Sequence, residues 1–414
     1  MKMSVFVRAV TLRNYKSIAR CKVGLQPLTL LVGPNGAGKS NFLDSLRLVA
    51  ESLRTSLEHS LRERGGIKEV RRISRGHPTH FGIRLDILLP DETQAWYGFE
   101  VGALPNGAFR VQHEECHILK FMRNAPESFF IVENGILKAS LPKMQSKVEP
   151  DRLYLTLVSA LSDFRLIYDG LSNMGFYNLN PERIKDLQSP DAGELLNRDG
   201  SNIASVLQRL ISTEPRTLKR IEKYLAAVVP GIRSVEPKNL GPKEVVVFKQ
   251  EIAGDTNPWE FMGSNMSDGT LRVLGVLVAA FQATGSGQRP IPLIGIEEPE
   301  LAVHPGAATA LLEALFEASN RTQIVLTTHS PDLLDEKSLE PDSILSVTSR
   351  LGETLIAPVD KATRSSIVDR LYSAGELLRL GQIEPDEKAL KEIDKQMDLF
   401  KPAAPYASPH TSNR

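Results

Sequence analysis

The chain has 414 residues, and 50 Lys+Arg balance 50 Asp+Glu to a formal net charge of zero. A hydrophobic share of 41% is enough for an ordinary buried core and excludes a disordered or fibrous chain. Neutrality excludes a uniformly basic body that clings to nucleic acid or to an acidic membrane, so any such contact must be local.

Ser4–Thr11 alternates like a strand and lacks the apolar stretch of a signal peptide. Leu28–Val32 is a continuous apolar run, suited to a buried parallel strand. After Ser40 the apolar residues Leu43, Leu46, Ala50, Leu53 and Leu57 recur at helical steps, and Gly65-Gly66 supply the stop. Arg62 and Arg64 fall in the expected last turn, where they suit the helix dipole. From Phe81 to Ala139, short alternating runs separated by Gly, Pro and Asn read as an antiparallel meander.

The middle third turns helical over Asp151–Tyr168, Ser201–Ile211 and Pro215–Val229, with no sustained heptad series and hence no long coiled coil. The last third returns to α/β: strand Glu244–Gln250, helix Asp268–Gln282, strand Pro292–Ile296, helix Pro305–Ser319 and strand Gln323–Thr328. A helical end, Ser365–Gln396, precedes the tail Lys401–Arg414, whose Pro, Ala and Ser content predicts disorder. The longest apolar run, Val273–Phe281, is far short of the ~20 residues that span a bilayer. Cys21 and Cys116 match neither a metal spacing nor a disulfide framework. A soluble protein of a reducing, cytoplasmic compartment is expected.

Four segments carry chemistry. Gly33-Pro34-Asn35-Gly36-Ala37-Gly38-Lys39-Ser40 fits G-x-x-x-x-G-K-[ST] between an apolar strand and a helix, the setting a P-loop needs. Its glycines let backbone N–H groups wrap a phosphate chain, Lys39 can reach the β- and γ-phosphates, and the Ser40 hydroxyl can ligate Mg²⁺. Pro292–Pro299 is an apolar strand ending in Glu297 and Glu298; the first acid suits a Mg²⁺ shell, the second can take a proton from an attacking water. His329 ends the next strand, where it can be a capping residue or can sense a γ-phosphate. Ser267-Asp268-Gly269-Thr270 opens an apolar helix; a Ser or Asp there is an ordinary N-cap, and the helix start can also bind a phosphate.

In chain order (P-loop, Ser267–Thr270, Glu297-Glu298, His329) these segments resemble the ABC-type ATPases, within them the RecF/SMC/OLD branch. The opening Leu12-Arg13-Asn14-Tyr15-Lys16-Ser17, the P-loop with Asn41-Phe42-Leu43-Asp44, and Glu297-Glu298-Pro299-Glu300-Leu301-Ala302-Val303-His304-Pro305 carry the resemblance, with Ser267–Arg272 where the family's signature stands. The long separation of Lys39 from Ser267 is unlike a compact transporter subunit. The fold implied is a P-loop NTPase head with an antiparallel β subdomain and a short helical arm insertion: N-terminal lobe 1–140, insertion 141–235, C-terminal lobe 236–400, tail 401–414.

The resemblance implies that Gly33, Pro34, Asn35, Gly36, Ala37, Gly38, Lys39, Ser40 and Asn41 bind ATP. Ser40 and Glu297 would hold Mg²⁺, Glu298 would be the catalytic base and His329 the switch histidine. Ser267 and Gly269 would reach a γ-phosphate across a homodimer with two ATP molecules sandwiched between protomers. Three departures stand out: Glu297 where most members have Asp, Asp268 in place of the first signature glycine, and no Q-loop glutamine, with Ile73–His80 about where it belongs.

Arg62, Arg64, Lys68, Arg71, Arg72, Arg75 and Arg84 outnumber Glu63 and Glu69 between Leu61 and Leu85, either a local DNA contact or a solvated helix end and loop. Two functions follow: an ATPase whose dimer acts on DNA in repair or in defence against foreign DNA, or a regulatory module that holds and releases an effector protein. About 85 residues follow His329, fewer than a usual domain, so an effector is expected on a separate chain.

Overall fold

The computed structural model describes residues 5–400 except 75, 77, 120–127, 145–146, 283–290, 337–338 and 397; the expected disordered tail lies outside them. A six-stranded sheet runs in the order Glu353–Pro358, Ile344–Arg350, Leu28–Val32, Gln323–Thr328, Leu293–Glu297, Gly175–Tyr177. All its pairings are parallel except the hairpin Ile344–Arg350/Glu353–Pro358. Every residue of Leu28–Val32 and Gln323–Thr328 is buried, because helices or the second sheet cover both faces of a central parallel strand. The register aligns Leu31 with Thr327 and Thr327 with Glu297, so three strand ends reach one edge together.

The expected meander is present. Strands His80–Leu88, Gln94–Ala103, Phe109–Leu119, Ser128–Glu133 and Ile136–Leu141 pair in sequence. Phe6–Tyr15 and Ile18–Gly24 extend this sheet to seven strands, and a third sheet joins Ile232–Leu240, Lys243–Gln250 and Trp259–Met262. One core lies between the seven-stranded sheet and helix Lys39–Arg54; the other surrounds helix Asp268–Phe281. Residues 269–281 of that helix are all buried, as an apolar helix without a polar face requires. No described helix is long and apolar enough to cross a membrane, and Cys21 and Cys116 are free and buried.

The segment from Ser40 to Gly65 forms two helices, Lys39–Arg54 and Leu57–Arg62, where the periodicity predicts one. Ser56 is extended and its hydroxyl accepts the His59 N–H, capping a new helix; the Leu53–Leu57 step hides this break. Gly65 and Gly66 adopt φ of 85° and 92°, the conformation for which glycine was expected. Asp151–Tyr168 likewise resolves into Tyr154–Val158 and Ser162–Ser172, and the helical end into Lys361–Val368, Ala374–Arg379 and Glu387–Gln396.

The helical insertion does not stand apart from the head. Helix Pro215–Val228 lies against Asp268–Phe281 and Pro305–Ser319, and Gly175–Tyr177 becomes the outermost strand of the six-stranded sheet. Short runs such as Gly175–Tyr177 carry no pattern of their own; pairing with Leu293–Glu297 alone makes them strands. At the seven-stranded sheet, Leu399 is buried against Gly82, and its carbonyl accepts from Arg84 Nη1 at 3.0 Å, tying the C-terminal segment to the first lobe.

Candidate functional site

The Gly33–Ser40 loop leaves the buried strand Leu28–Val32 and enters helix Lys39–Arg54. Two glycines are sterically dictated. A Cβ on Gly33 would stand 1.9 Å from the Val347 carbonyl oxygen, and one on Gly38, at φ 104°, 2.0 Å from Thr354 Oγ1. The hairpin Ile344–Pro358, not expected from the sequence, therefore presses the loop from behind. Thr354 Oγ1 donates to the Ala37 carbonyl at 2.8 Å and lies 2.7 Å from Ser17 Oγ, which accepts from Asn41 Nδ2 at 2.6 Å. Gly36, at φ 77°, faces open space.

Lys39 curls back over the loop, donating to the carbonyls of Gly33 (2.8 Å) and Pro34 (3.0 Å). Burial pushes its amine pKa down, while Glu298 and Glu300 act in the opposite direction. Glu298 has φ 44°, strained for a non-glycine residue, and its N–H is held by the carbonyl and hydroxyl of Thr327. Its Oε1 lies 3.2 Å from His329 Nδ1, which is buried and off the direction of a hydrogen bond. Thr328 Oγ1 donates to Glu300 Oε1 at 2.5 Å, and the other oxygen of Glu300 is buried without a partner. Burial pushes the Glu300 carboxyl up, against that hydrogen bond.

Ser40, Asn41, Lys16, Arg47, Glu297 and Arg198 line one cavity of about 160 Å³. A hydroxyl and a carboxylate facing one small cavity are an oxygen set suited to Mg²⁺, which keeps several waters. Loop N–H groups at a helix start, with a lysine beside them, suit a phosphate chain. The buried His329 Nδ1 and Glu300 Oε2, neither of which makes a hydrogen bond, are consistent with a site completed by a polar ligand.

Ser267 and Gly269 are placed elsewhere. Ser267 Oγ accepts the Thr270 N–H at 3.2 Å as an N-cap, and Gly269 packs against the Ala302 carbonyl; neither lines the cavity of Ser40 and Glu297. Asp268 is explained locally: it pairs with Lys185 Nζ at 2.7 Å. Arg272 is buried and donates to the Leu179 carbonyl at 2.7 Å and the Glu298 carbonyl at 3.4 Å, linking the helix to the acidic turn.

The basic segment is mostly spent inside the protein, contrary to a local nucleic-acid patch. Arg64 pairs with Asp44 and Glu51, Arg71 donates to the Pro78 carbonyl, Arg72 pairs with Glu353, and buried Arg84 pairs with Asp86. Arg62 and Lys68 are exposed, and Arg75 lies outside the described residues. Sequence reasoning missed Arg198, Glu300 and Thr354 as neighbours of the site. Arg198 lies in the polar turn Asn197-Arg198-Asp199-Gly200, and no local signal links it to Glu297, 99 residues away.

Residues 28–335 match the family model described as "AAA domain, putative AbiEii toxin, Type IV TA system". Endonuclease GajA of Bacillus cereus (strain VD045) is 22% identical over 432 residues, 94% of this chain and 68% of that protein. The OLD nuclease of Thermus scotoductus (strain ATCC 700910 / SA-01) is 22% identical over 353 residues, 81% of this chain and 61% of that protein. Among solved structures, a Smc head bound to the C-winged helix domain of ScpA superposes with TM-score 0.54 at 13% identity, covering 87% of this chain and 99% of that one. A Smc head with an extended coiled coil, bound to the C-terminal domain of ScpA derived from Pyrococcus furiosus, gives 0.51 at 12% identity, with 89% and 99% covered. These likenesses establish the head fold.

Proposed function

The chain belongs to this family of AAA domains, and on that premise we propose that it is a cytoplasmic, Mg²⁺-dependent ATPase. It works as a homodimer that sandwiches two ATP molecules, in DNA repair or in defence against foreign DNA. One observation carries the reading: the Gly33–Ser40 loop, Glu297, Glu298 and His329 converge at one edge of the parallel sheet.

In this reading the Asn35, Gly36 and Gly38 N–H groups of the Gly33–Ser40 loop and the Lys39 amine hold the phosphates, with Asn41 steadying the loop through Ser17. Ser40 and Glu297 hold Mg²⁺, which offsets phosphate charge when bound. Glu298 Oε1 receives a proton from water, and His329, whose Nδ1 lies 3.2 Å from that carboxylate, is the switch residue that senses the γ-phosphate. Ser267 and Gly269, which do not line the cavity of Ser40 and Glu297, serve the nucleotide of the partner protomer.

Glu298→Gln is expected to lower turnover by about 10²–10⁴-fold, keep ATP binding and accumulate a dimer on a sizing column. Turnover at the wild-type rate would refute the base assignment. The relatives named as nucleases support the DNA side of this reading. The internal pairing of Arg64, Arg71, Arg72 and Arg84 favours a second one, an ATP-driven module that holds an effector protein. Duplex DNA binding that weakens steeply with salt selects the first reading; its absence selects the second.

A further inference from the structure

Arg198 belongs to the stretch between strand Gly175–Tyr177 and helix Ile203–Thr213, and its backbone is fixed. Its carbonyl accepts the Asn178 N–H at 2.9 Å, and the neighbouring Asn197 N–H donates to Asn202 Oδ1 at 2.7 Å. From this anchored loop Arg198 Nη2 reaches Glu297 Oε1 at 3.0 Å, with the two side chains 47% and 22% exposed. Arg198 lines the small cavity of Ser40 and Glu297, and also an adjoining cleft of about 530 Å³ that contains Glu51 and Glu63.

We propose that Arg198 is a positioning residue, a counter-ion that holds the Glu297 carboxylate until a divalent cation displaces it. This rests on the reading that Ser40 and Glu297 form the metal shell. A dication on the Glu297 carboxylate would bring a second positive centre close to the guanidinium 3.0 Å away, so the cation weakens the pair and the pair opposes the cation. Arginine does not relieve that repulsion by losing its proton. The side chain can swing toward the adjoining cleft, where the Glu63 carboxylate lies; Glu51, in the same cleft, is already held by Arg64 at 2.7 Å. Because the Glu297–Arg198 pair is partly solvated, it sets a threshold for metal entry rather than a block.

The test is binding of Mn²⁺, an oxygen-seeking substitute for Mg²⁺, to the full chain with ADP, read from the free-Mn²⁺ electron paramagnetic resonance signal. Arg198→Ala is expected to tighten Mn²⁺ by about two- to fivefold, the scale of a partly exposed ion pair. Arg198→Lys keeps the charge and should fall between them. The gap between wild type and Arg198→Ala should narrow in about 0.5 M KCl, which a purely structural effect would not produce. Unchanged or weaker Mn²⁺ binding by Arg198→Ala, with circular dichroism intact, overturns the inference alone; if that variant misfolds, Arg198→Gln replaces it under the same criterion. Wild-type Mn²⁺ binding by Glu297→Gln overturns the metal-shell reading, and the inference with it.

Discussion

Replacing Asp44 by Asn tests the junction that fixes the P-loop helix. Asp44 is 8% exposed; it accepts from Tyr15 Oη at 2.8 Å and pairs with Lys16 (2.6 Å), Arg47 (2.5 Å) and Arg64 (3.0 Å). Asn offers one acceptor oxygen and no charge, so the buried Arg64 guanidinium keeps only Glu51, at 2.7 Å, as an ionic partner. Breaking a buried pair costs about 3–5 kcal/mol, and the surviving Glu51 contact places this case near 3 kcal/mol. Unfolding entropy scales to about 0.9 kcal/mol per kelvin for a chain of this length, so the midpoint should fall by about 3–4 °C in calorimetry.

The pH dependence has a definite sign. Burial pushes the Asp44 carboxyl up, but Arg64, Lys16 and Arg47 outweigh it and hold the group well below its ordinary value of 3.8. Its contribution is therefore complete above about pH 4 and is lost as pH falls through the folded-state value. The stability gap between wild type and Asp44→Asn should shrink on acidification below pH 4. A midpoint within 1 °C of wild type at neutral pH, or a gap that does not shrink, would mean the cluster is worth no more than surface ion pairs.

Two further outcomes are expected. Gly38→Ala should abolish nucleotide binding, because its Cβ would meet Thr354 Oγ1 at 2.0 Å; Gly36→Ala, facing open space, should cost about 1–2 kcal/mol of left-handed backbone strain, and equal affinities by calorimetric titration would contradict the loop geometry. Burial lifts the Glu114 carboxyl to about 7 despite donors from the Tyr154 and Leu155 N–H groups and Tyr97 Oη, so wild-type stability should decline as pH rises from about 5 to about 8. Glu114→Gln should flatten that decline in urea titrations, and an identical slope in both proteins would remove Glu114 as its source.

The chemistry was legible wherever it sits in one contiguous stretch. A P-loop needs its glycines, lysine and hydroxyl at set spacing, and the two glutamates need only a buried strand before them. The single helix expected through Leu57 failed because a cap at Ser56 leaves the apolar step unbroken. The basic run from Leu61 to Leu85, open in the sequence to a DNA contact or a solvated face, needed the structure for another reason. Charge counting does not see that Arg64 meets Asp44, or that Arg84 meets Asp86 on its own strand.

Backbone chemistry and local periodicity thus determined that this chain carries a P-loop head, an antiparallel meander and a helical insertion. Only the tertiary structure decided what surrounds the site. It placed Thr354 against Gly38, Arg198 on Glu297 and Gly175–Tyr177 on the sheet edge. The reason is physical: a motif's spacing is dictated by the group it wraps, whereas a neighbour 99 or 317 residues away is selected by packing alone. Zero net charge likewise became a specific arrangement, in which many of the cations expected at the surface are already paired inside.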